Sequence, residues 1–120
     1  MKITASITRE IEESDIVDSI VTALEGGSNY WYELHVDTKE LGNLDKAPSE
    51  RIALAALSGY NIQVFDVEEG DYLGDLNKET IERGIKLYSE NRGEFDPAMD
   101  ADEADCLFQY IVMGEIVYGG

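Results

Sequence analysis

The sequence contains very few cysteine, histidine, proline or basic residues. Among 120 residues there are one cysteine, one histidine, two prolines and nine lysines and arginines. The single cysteine, Cys106, excludes an internal disulfide and a cysteine-based zinc site, and such scarcity is typical of a reducing compartment. No apolar run reaches the ~18 residues that a membrane-spanning helix needs, and the opening stretch MKITASITREIEESD lacks a signal-peptide core. We therefore expect a soluble chain in the cytoplasm, with no membrane partner.

Acidic residues far outnumber basic ones. The 26 aspartates and glutamates against nine lysines and arginines give a net charge of −17. This charge repels nucleic-acid phosphates and anionic membranes, so we expect no direct nucleic-acid partner. It attracts basic proteins, above all those that hold DNA or RNA. Solubility alone is the simplest alternative explanation, because small acidic proteins are common.

Hydrophobic periodicity predicts a single globular domain over residues 1–120. The first half contains a strand at 2–8, a helix from Ser14 as N-cap to the closing pair Gly26 and Gly27, a strand at 30–37, and a helix between Pro48 and Gly59. The second half contains a hairpin over 61–76 and a helix from its cap Asn77 to 91–93. A last helix runs from Asp100 to Gly114 and is followed by a docked tail at 116–118. The order β-α-β-α-β-β-α-α predicts an α+β fold in which a small, mainly antiparallel sheet packs against three or four helices.

Three aromatic residues follow the glycine pair in EGGSNYWYELHV at 25–36. Polar and apolar residues alternate in the predicted strand, which places Tyr30, Tyr32, Leu34 and Val36 on the inner face. The opposite face is polar except for Trp31, which is either covered by another element or exposed as a binding anchor. The pattern favours a covering helix, but the second interpretation keeps Trp31 among the candidate binding residues.

The single histidine, His35, lies between Glu33 and Asp37 on the polar face. A histidine beside a carboxylate is able to act in acid–base catalysis, but a lone histidine on a strand is far more often a surface residue. The sequence has no G-x-S-x-G, no H-E-x-x-H and no phosphate-binding glycine loop. We therefore predict that the chain is not an enzyme and uses no cofactor.

A cluster of acidic residues at 96–105 invites a metal interpretation. A calcium loop needs a glycine turn and a distal glutamate at fixed positions, and DPAMDADEAD has neither in the required place. Acidic residues at a helix start are also expected from the helix dipole. We therefore predict no metal site here and count the cluster as acidic surface.

Rows of carboxylates are the main candidate for function. Carboxylates spaced like nucleic-acid phosphates are able to occupy the basic channel of a nuclease, a repressor or a guide-RNA complex, and such binding is sensitive to salt. The rows lie at 10–18, 68–71 and 96–105. The predicted partner-binding residues are Glu10, Glu12, Glu13, Asp15, Asp18, Trp31, Glu33, Glu68, Glu69 and Asp71.

Two stretches resemble a diffuse family of small acidic proteins encoded by phages and prophages. They are ALEGGSNYWYE at 23–33 and DADEADCLFQYIVMGEIVYGG at 100–120, together with the element Glu79-Thr80-Ile81-x-x-Gly84-Ile85 before the tail. In that family an EGG-x-NYW element follows the first helix, and Q-Y-x-x-x-G-E-x-V-Y-G ends the chain. The middle of this chain, 37–60, departs from the pattern.

The resemblance implies a small protein that a mobile element expresses in the cytoplasm of a bacterial host. Such proteins are frequently inhibitors of host defence, including anti-CRISPR and anti-restriction proteins. We therefore expect an inhibitor that binds a host defence protein with a basic surface, a CRISPR effector being one candidate.

Two other functions remain open. The first is a small-ligand binder or nucleotide sponge, with a pocket between the glycine pair and the polar strand face. An anionic nucleotide would then require Arg51, Arg83 and Arg92 to converge. The second is a structural interaction protein of a mobile element. A homodimer through a sheet edge or the apolar tail fits any of these functions.

Overall fold

The computed structural model describes the backbone of residues 2–4 and 10–119 and the side chains of residues 11–119. Its elements are β1 (Lys2–Thr4), β2 (Glu10–Glu12), α1 (Glu13–Thr22), β3 (Tyr32–Leu34), α2 (Pro48–Leu57), β4 (Ile62–Asp66), β5 (Tyr72–Leu76), α3 (Lys78–Arg92) and α4 (Ala101–Met113). A π turn over Ala23–Gly27 extends α1, and a 3-10 turn over Thr38–Leu41 follows β3.

The fold is α+β, as predicted. β3, β4 and β5 form an antiparallel sheet in that order, and β1 pairs with β2 in a separate antiparallel ladder. α4 lies at the centre and packs on α3, on β5 and on the π turn, while α1 packs on α2. The central position of α4 explains its composition, because every residue from Ala104 to Val112 except Cys106 is buried.

The start of the chain differs from the prediction. Part of the predicted strand 2–8 lies outside the described residues, but its beginning is β1, which pairs with the unpredicted strand β2. β2 runs directly into α1, so the helix begins at Glu13 with Glu12 as its N-cap. The prediction that Ser14 caps this helix is therefore wrong, because the helix begins two residues earlier than that cap would place it.

The glycine pair also has a different role from the predicted one. Neither Gly26 nor Gly27 has a positive φ, and the chain continues through both in the π turn. A Cβ on Gly27 would collide with the carbonyl oxygen of Ala101, whereas one on Gly26 would meet open space. Gly27 is thus needed for the close approach of α4, and Gly26 is not.

Several predicted helix and turn signals are confirmed. α2 begins at Pro48 and ends before Gly59, whose φ is +119°. The hairpin of β4 and β5 turns through Gly70, with φ +76°. α4 is capped by Asp100, whose carboxylate accepts a bond from the Glu103 amide at 2.9 Å, and it ends at the left-handed Gly114.

The predicted cap of α3 is confirmed as well. Asn77 caps the helix by accepting a bond from the Thr80 amide at 2.8 Å. Leu76 and Ile81, which flank this cap at the two positions of a hydrophobic staple, are both fully buried. A Cβ on Gly84 would collide with Ile111, so this glycine lets α3 and α4 approach closely. The core of the domain therefore follows the hydrophobic periodicity of the sequence.

Candidate functional site

A buried carboxylate at Asp105 organises one end of the domain. Its side chain is only 9% exposed. One oxygen accepts bonds from the Ser28 hydroxyl at 2.7 Å, from the Trp31 indole N–H at 2.8 Å and from the Gln109 amide at 3.3 Å. The other oxygen accepts a bond from the Tyr30 hydroxyl at 2.7 Å. Hydrogen-bond donors, rather than a basic residue, thus satisfy this carboxylate.

Trp31 lies inside the domain and is only 1% exposed. Its ring stacks on Tyr118, with centroids 5.1 Å apart and planes 11° apart, and it contacts Phe108 of α4 at 5.5 Å. The expectation that another element covers Trp31 is confirmed, with the chain's tail as well as a helix forming the cover. Its inclusion among the partner-binding residues is therefore wrong, because the indole has no exposed face to offer.

The strand that was predicted to hold this tryptophan is shorter than expected. β3 begins at Tyr32, and Trp31 lies in the preceding turn, where its amide donates to the carbonyl of Ser28 at 3.1 Å. Tyr30 was predicted on the inner face but is 48% exposed. The alternating pattern failed here because both residues precede the strand.

Gln109 fastens the C-terminal tail to the same network. Its amide oxygen accepts bonds from the backbone amides of Val117 and Tyr118, both at 2.8 Å, and its amide nitrogen donates to the carbonyl of Tyr118 at 3.1 Å. The predicted docking of the tail at 116–118 is confirmed for Tyr118, whereas Val117 is 54% exposed. Gln109 itself is buried, so these three hydrogen bonds hold the tail against α4.

Two tyrosines of this network hold their protons strongly. Burial, followed by the bond to Asp105, raises the pKa of Tyr30 to about 12. The bond from the Tyr118 hydroxyl to Asp66 raises the pKa of Tyr118 to about 12, and the same bond lowers the pKa of Asp66. Both hydroxyls therefore act as donors to carboxylates across the neutral pH range.

The two end motifs of the sequence meet at this network. Tyr30 and Trp31 come from the first motif, and Gln109, Tyr118 and Gly119 come from the second. Gly119 has φ +71°, and a Cβ there would collide with the Tyr30 hydroxyl. The motifs thus have a direct structural role, because together they bury Asp105 and fix the tail.

A cleft of about 500 Å³ opens beside the network. It is lined by Gly27, Tyr30, Arg92, Asp102, Asp105, Cys106, Gln109, Ile116, Tyr118 and Gly119. Arg92 pairs with Glu103 at 2.7 Å, which raises the pKa of the guanidinium and lowers that of the carboxyl. Burial raises the pKa of the Cys106 thiol, which favours the protonated thiol at neutral pH.

The arginines that a nucleotide site would need do not converge. Arg51 donates to the carbonyls of Asn43 and Leu44, Arg83 donates to the carbonyl of Ile111, and Arg92 is held by Glu103. Glu33 and His35, which were expected to line the ligand pocket with the glycine pair, lie on the sheet instead of in the cleft. The cleft therefore shares only Gly27 and Arg92 with the residues predicted for the pocket.

The acidic rows lie on separate parts of the fold. The row at 10–18 runs through β2 and α1, with Glu12 and Asp18 exposed, Glu13 and Asp15 half-buried, and the side chain of Glu10 outside the described residues. The row at 68–71 lies in the hairpin turn, where Glu68, Glu69 and Asp71 are all exposed.

The third row, at 96–105, serves mainly to build the domain. Asp96 and Asp100 accept bonds from backbone amides, Glu103 binds Arg92 and Tyr88, and Asp105 is buried. Counting this cluster as acidic surface is therefore wrong at the buried Asp105 and only partly right at the half-buried Glu103, whereas Asp96, Asp100 and Asp102 are exposed as predicted. Among the described residues, no group of three histidine, cysteine or acidic side chains is arranged to hold a metal ion.

The hairpin turn forms a compact acidic surface, which we call the acidic turn and define as residues 66–71. Asp66 accepts bonds from the amides of Glu68 and Glu69, both at 2.8 Å, and so fixes the backbone of the turn. Tyr118 donates to the other oxygen of Asp66 at 2.7 Å, and the amide of Val67 donates to the carbonyl of Trp31 at 2.9 Å. The Asp105 network thus holds the acidic turn in place.

The outer face of the sheet brings His35, which the sequence had singled out, together with two aromatic residues that it had not. His35, Phe65 and Tyr72, one from each strand or its end, lie side by side across it, and we call them the aromatic row. The rings of His35 and Phe65 stack at 4.2 Å, and the Phe65 and Tyr72 rings meet edge to face at 5.9 Å. Only strand pairing brings these residues together, because they are far apart in sequence.

In the described part of the chain, no helix has both the length and the apolar character needed to cross a membrane. Comparison of the chain with protein-family models, with curated proteins and with solved structures finds no match. The resemblance to small acidic phage proteins therefore rests on the sequence motifs alone.

Proposed function

We propose that this chain is a phage-encoded, non-enzymatic inhibitor of a bacterial defence system, which acts in the host cytoplasm by binding a basic, nucleic-acid-binding protein through its acidic surface. A CRISPR effector is the candidate partner that the resemblance favours. The end motifs support a phage origin, and the excess of acidic residues on the surface supports binding to a basic protein.

One observation carries the proposal. Among the residues whose side chains are described, Asp105 is the only acidic residue that is buried. Nine positive charges offset nine of the 26 negative ones, which leaves a net excess of 26 − 9 = 17 negative charges. A surface that displays this excess attracts a basic protein over long range and speeds its association.

The acidic turn is the best supported part of this surface. Its carboxylates at Glu68, Glu69 and Asp71 are exposed, and two exposed apolar side chains flank them, Val67 at 41% and Tyr72 at 54%. Interfaces combine such apolar anchors with a charged rim, since charge steers the encounter and apolar contact supplies lasting affinity. The turn also has a fixed backbone, so little ordering cost opposes binding.

The test is an infection assay in paired bacterial hosts that carry or lack a CRISPR effector, with and without expression of this chain. Wild-type chain should raise the number of successful infections only in the host that carries the effector. A variant with Glu68→Gln and Glu69→Gln should lose much of this effect. A variant with Asp15→Asn and Asp18→Asn removes the same charge from α1 and tests the other row.

The two variants also decide between mechanisms. Equal protection by wild type and both variants, at equal expression and stability, would refute an electrostatic inhibitor. No protection by the wild-type chain would remove the CRISPR effector as partner. Purification at low and high salt would then show whether a different basic protein is retained at low salt only.

A small-ligand binder is the second candidate, and the cleft beside Asp105 favours it. The arginines do not converge there, and Asp102 and Asp105 line the cleft. Such a cleft suits a neutral or cationic ligand better than an anionic nucleotide. Native mass spectrometry of chain purified from bacterial cells tests this function, which requires a retained small molecule that an Asp102→Asn variant binds less well.

A further inference from the structure

We infer that the outer face of the three-stranded sheet binds arginine side chains of the basic partner, with the aromatic row as a stacking platform and the acidic turn as its charged border. This inference rests on the proposed function and specifies where on the acidic surface contact is made. The aromatic row then takes the role of binding anchor that was predicted for Trp31, which is buried, because solvent reaches all three of its residues.

Strand register places the aromatic row on one face. Glu33 lies directly opposite Phe65, and Phe65 lies directly opposite Tyr72. Directly paired residues of antiparallel strands point to the same side of a sheet, and His35 follows Glu33 by two positions on that side. A register shift between Val64 and Phe65 is what brings Tyr72, rather than Leu73, opposite Phe65.

The two faces of the sheet have opposite environments. The inner face contributes Ile62, Val64 and Leu76 to the core, and a Cβ on Gly74 would collide with the carbonyl of Val112 in α4. On the outer face, the side chain of His35 is 56% exposed, and Tyr72 is 54% exposed. The outer face is thus open to a partner.

Carboxylates surround the aromatic row on this face. Glu33 contacts the imidazole of His35 at 3.0 Å, and Asp75 accepts a bond from the Tyr72 hydroxyl at 2.7 Å. This bond raises the pKa of Tyr72, so the hydroxyl stays neutral and the ring faces carry no added charge. The acidic turn connects the strands that contribute Phe65 and Tyr72.

This combination suits arginine better than any other common side chain. A guanidinium is planar and weakly hydrated, and it stacks on aromatic faces while donating bonds to carboxylates at its edge. A lysine ammonium is attracted to the same charge but lacks the planar group that stacks. A face with aromatic rings inside a border of acids should therefore prefer arginine to lysine, whereas an acidic surface without rings should not.

The experiment uses the full chain and two probes, an oligoarginine peptide and an oligolysine peptide of equal length. Affinities are measured by fluorescence anisotropy of labelled peptides at low salt, for wild type and three variants. Tyr72→Ala removes one end of the aromatic row, and Tyr72→Phe keeps the ring as its matched control. The Glu68→Gln, Glu69→Gln variant removes charge from the acidic turn.

We expect wild type to bind oligoarginine about two- to five-fold more tightly than oligolysine, as one or two exposed cation–π contacts would give. Tyr72→Ala should abolish most of this preference, and Tyr72→Phe should keep it. The charge variant should weaken binding of both peptides by similar factors. The midpoint of urea unfolding, measured for each variant, shows that the fold is kept.

The possible failures are distinguishable. If both peptides bind wild type equally and Tyr72→Ala changes nothing, while the charge variant still weakens binding, the aromatic row is not the contact surface and the proposed function survives. If the Glu68→Gln, Glu69→Gln variant also binds like wild type, the inference is wrong in full, and the proposed function fails with it only if the Asp15→Asn, Asp18→Asn variant binds like wild type too. If sedimentation shows a dimer that Tyr72→Ala dissociates, a second copy covers this face and the inference is wrong.

Discussion

Replacement of Asp105 by alanine tests how the two ends of the chain are held together. The substitution removes the acceptor of two buried donors, the Trp31 indole N–H at 2.8 Å and the Ser28 hydroxyl at 2.7 Å. Gln109 keeps the carbonyl of Tyr118 as a second acceptor, and Tyr30 is exposed enough to reach water.

The magnitude follows from those two donors. A buried donor left without an acceptor costs ~1–3 kcal/mol, so Asp105→Ala should lower the free energy of unfolding by about 2–6 kcal/mol. This is a large part of the ~5–15 kcal/mol that stabilises an ordinary domain. Asp105→Asn keeps one acceptor oxygen for Trp31 and Ser28, and it should cost less than half as much.

Urea unfolding followed by tryptophan fluorescence measures this effect directly, because Trp31 is the single tryptophan. The matched control is Asp102→Ala, which removes an exposed acidic residue from the same helix and should cost ~0.3–1 kcal/mol through the helix dipole. Hydrogen exchange should show faster exchange at the amides of Val117 and Tyr118 in Asp105→Ala. Equal losses of stability for both alanine variants would refute the role given to Asp105.

Two further predictions concern the same region. Gly27→Ala should destabilise the domain by about 1–3 kcal/mol, because its Cβ would collide with the carbonyl of Ala101. Gly26→Ala places its Cβ in open space, so it should leave the midpoint of urea unfolding unchanged or raise it. Equal effects of the two substitutions on this midpoint would contradict the close approach of α4. Tyr30 and Tyr118 have folded pKa values of about 12 against 10.0 for an ordinary tyrosine, so the stability they confer is complete below pH 10 and is lost as the pH rises from 10 to about 12. Ultraviolet difference absorbance should show Tyr118→Phe removing one phenol that titrates near 12, and titration of that phenol near 10 would contradict its bond to Asp66.

Much of the fold is predictable from the sequence because local signals and burial agree. Asn77 with its staple, Gly114 after α4 and the turn at Gly70 each specify one backbone conformation that any surrounding fold must accommodate. The α+β class followed from the order of these elements. The unpredicted strand β2 is only three residues long, and its pairing with β1 leaves no periodic signal in so short a segment.

The residues around Trp31 show where periodicity stops being informative. Alternation continues from Tyr30 to Asp37 in the sequence, yet the strand begins at Tyr32. Asp105 and the tail, more than seventy residues away, decide the position of Trp31. A contact at that separation leaves no trace in local spacing. Similarly, the glycine pair predicted the end of a helix, whereas in the fold Gly27 is required because α4 packs closely against it.

The candidate site was only partly predictable. The acidic turn was identified from Glu68, Glu69 and Asp71, since consecutive charges between two strands are necessarily exposed. The aromatic row was missed because cross-strand register and a local register shift create it. The cluster at 96–105 was misassigned at two positions only, because Glu103 and Asp105 look like surface charge in sequence but bind Arg92, Tyr88 and Trp31 in the fold.

The salt dependence of oligoarginine binding tests the central claim most directly. Wild type is compared with the Glu68→Gln, Glu69→Gln variant and with the Asp15→Asn, Asp18→Asn variant, which loses the same charge from α1. Screening weakens charge contacts as salt rises, so wild type should lose affinity steeply, and the acidic-turn variant should lose it least. If affinity fell with salt equally in wild type and both variants, binding through the acidic turn would be contradicted. A weaker salt dependence in the Asp15→Asn, Asp18→Asn variant alone would contradict it as well.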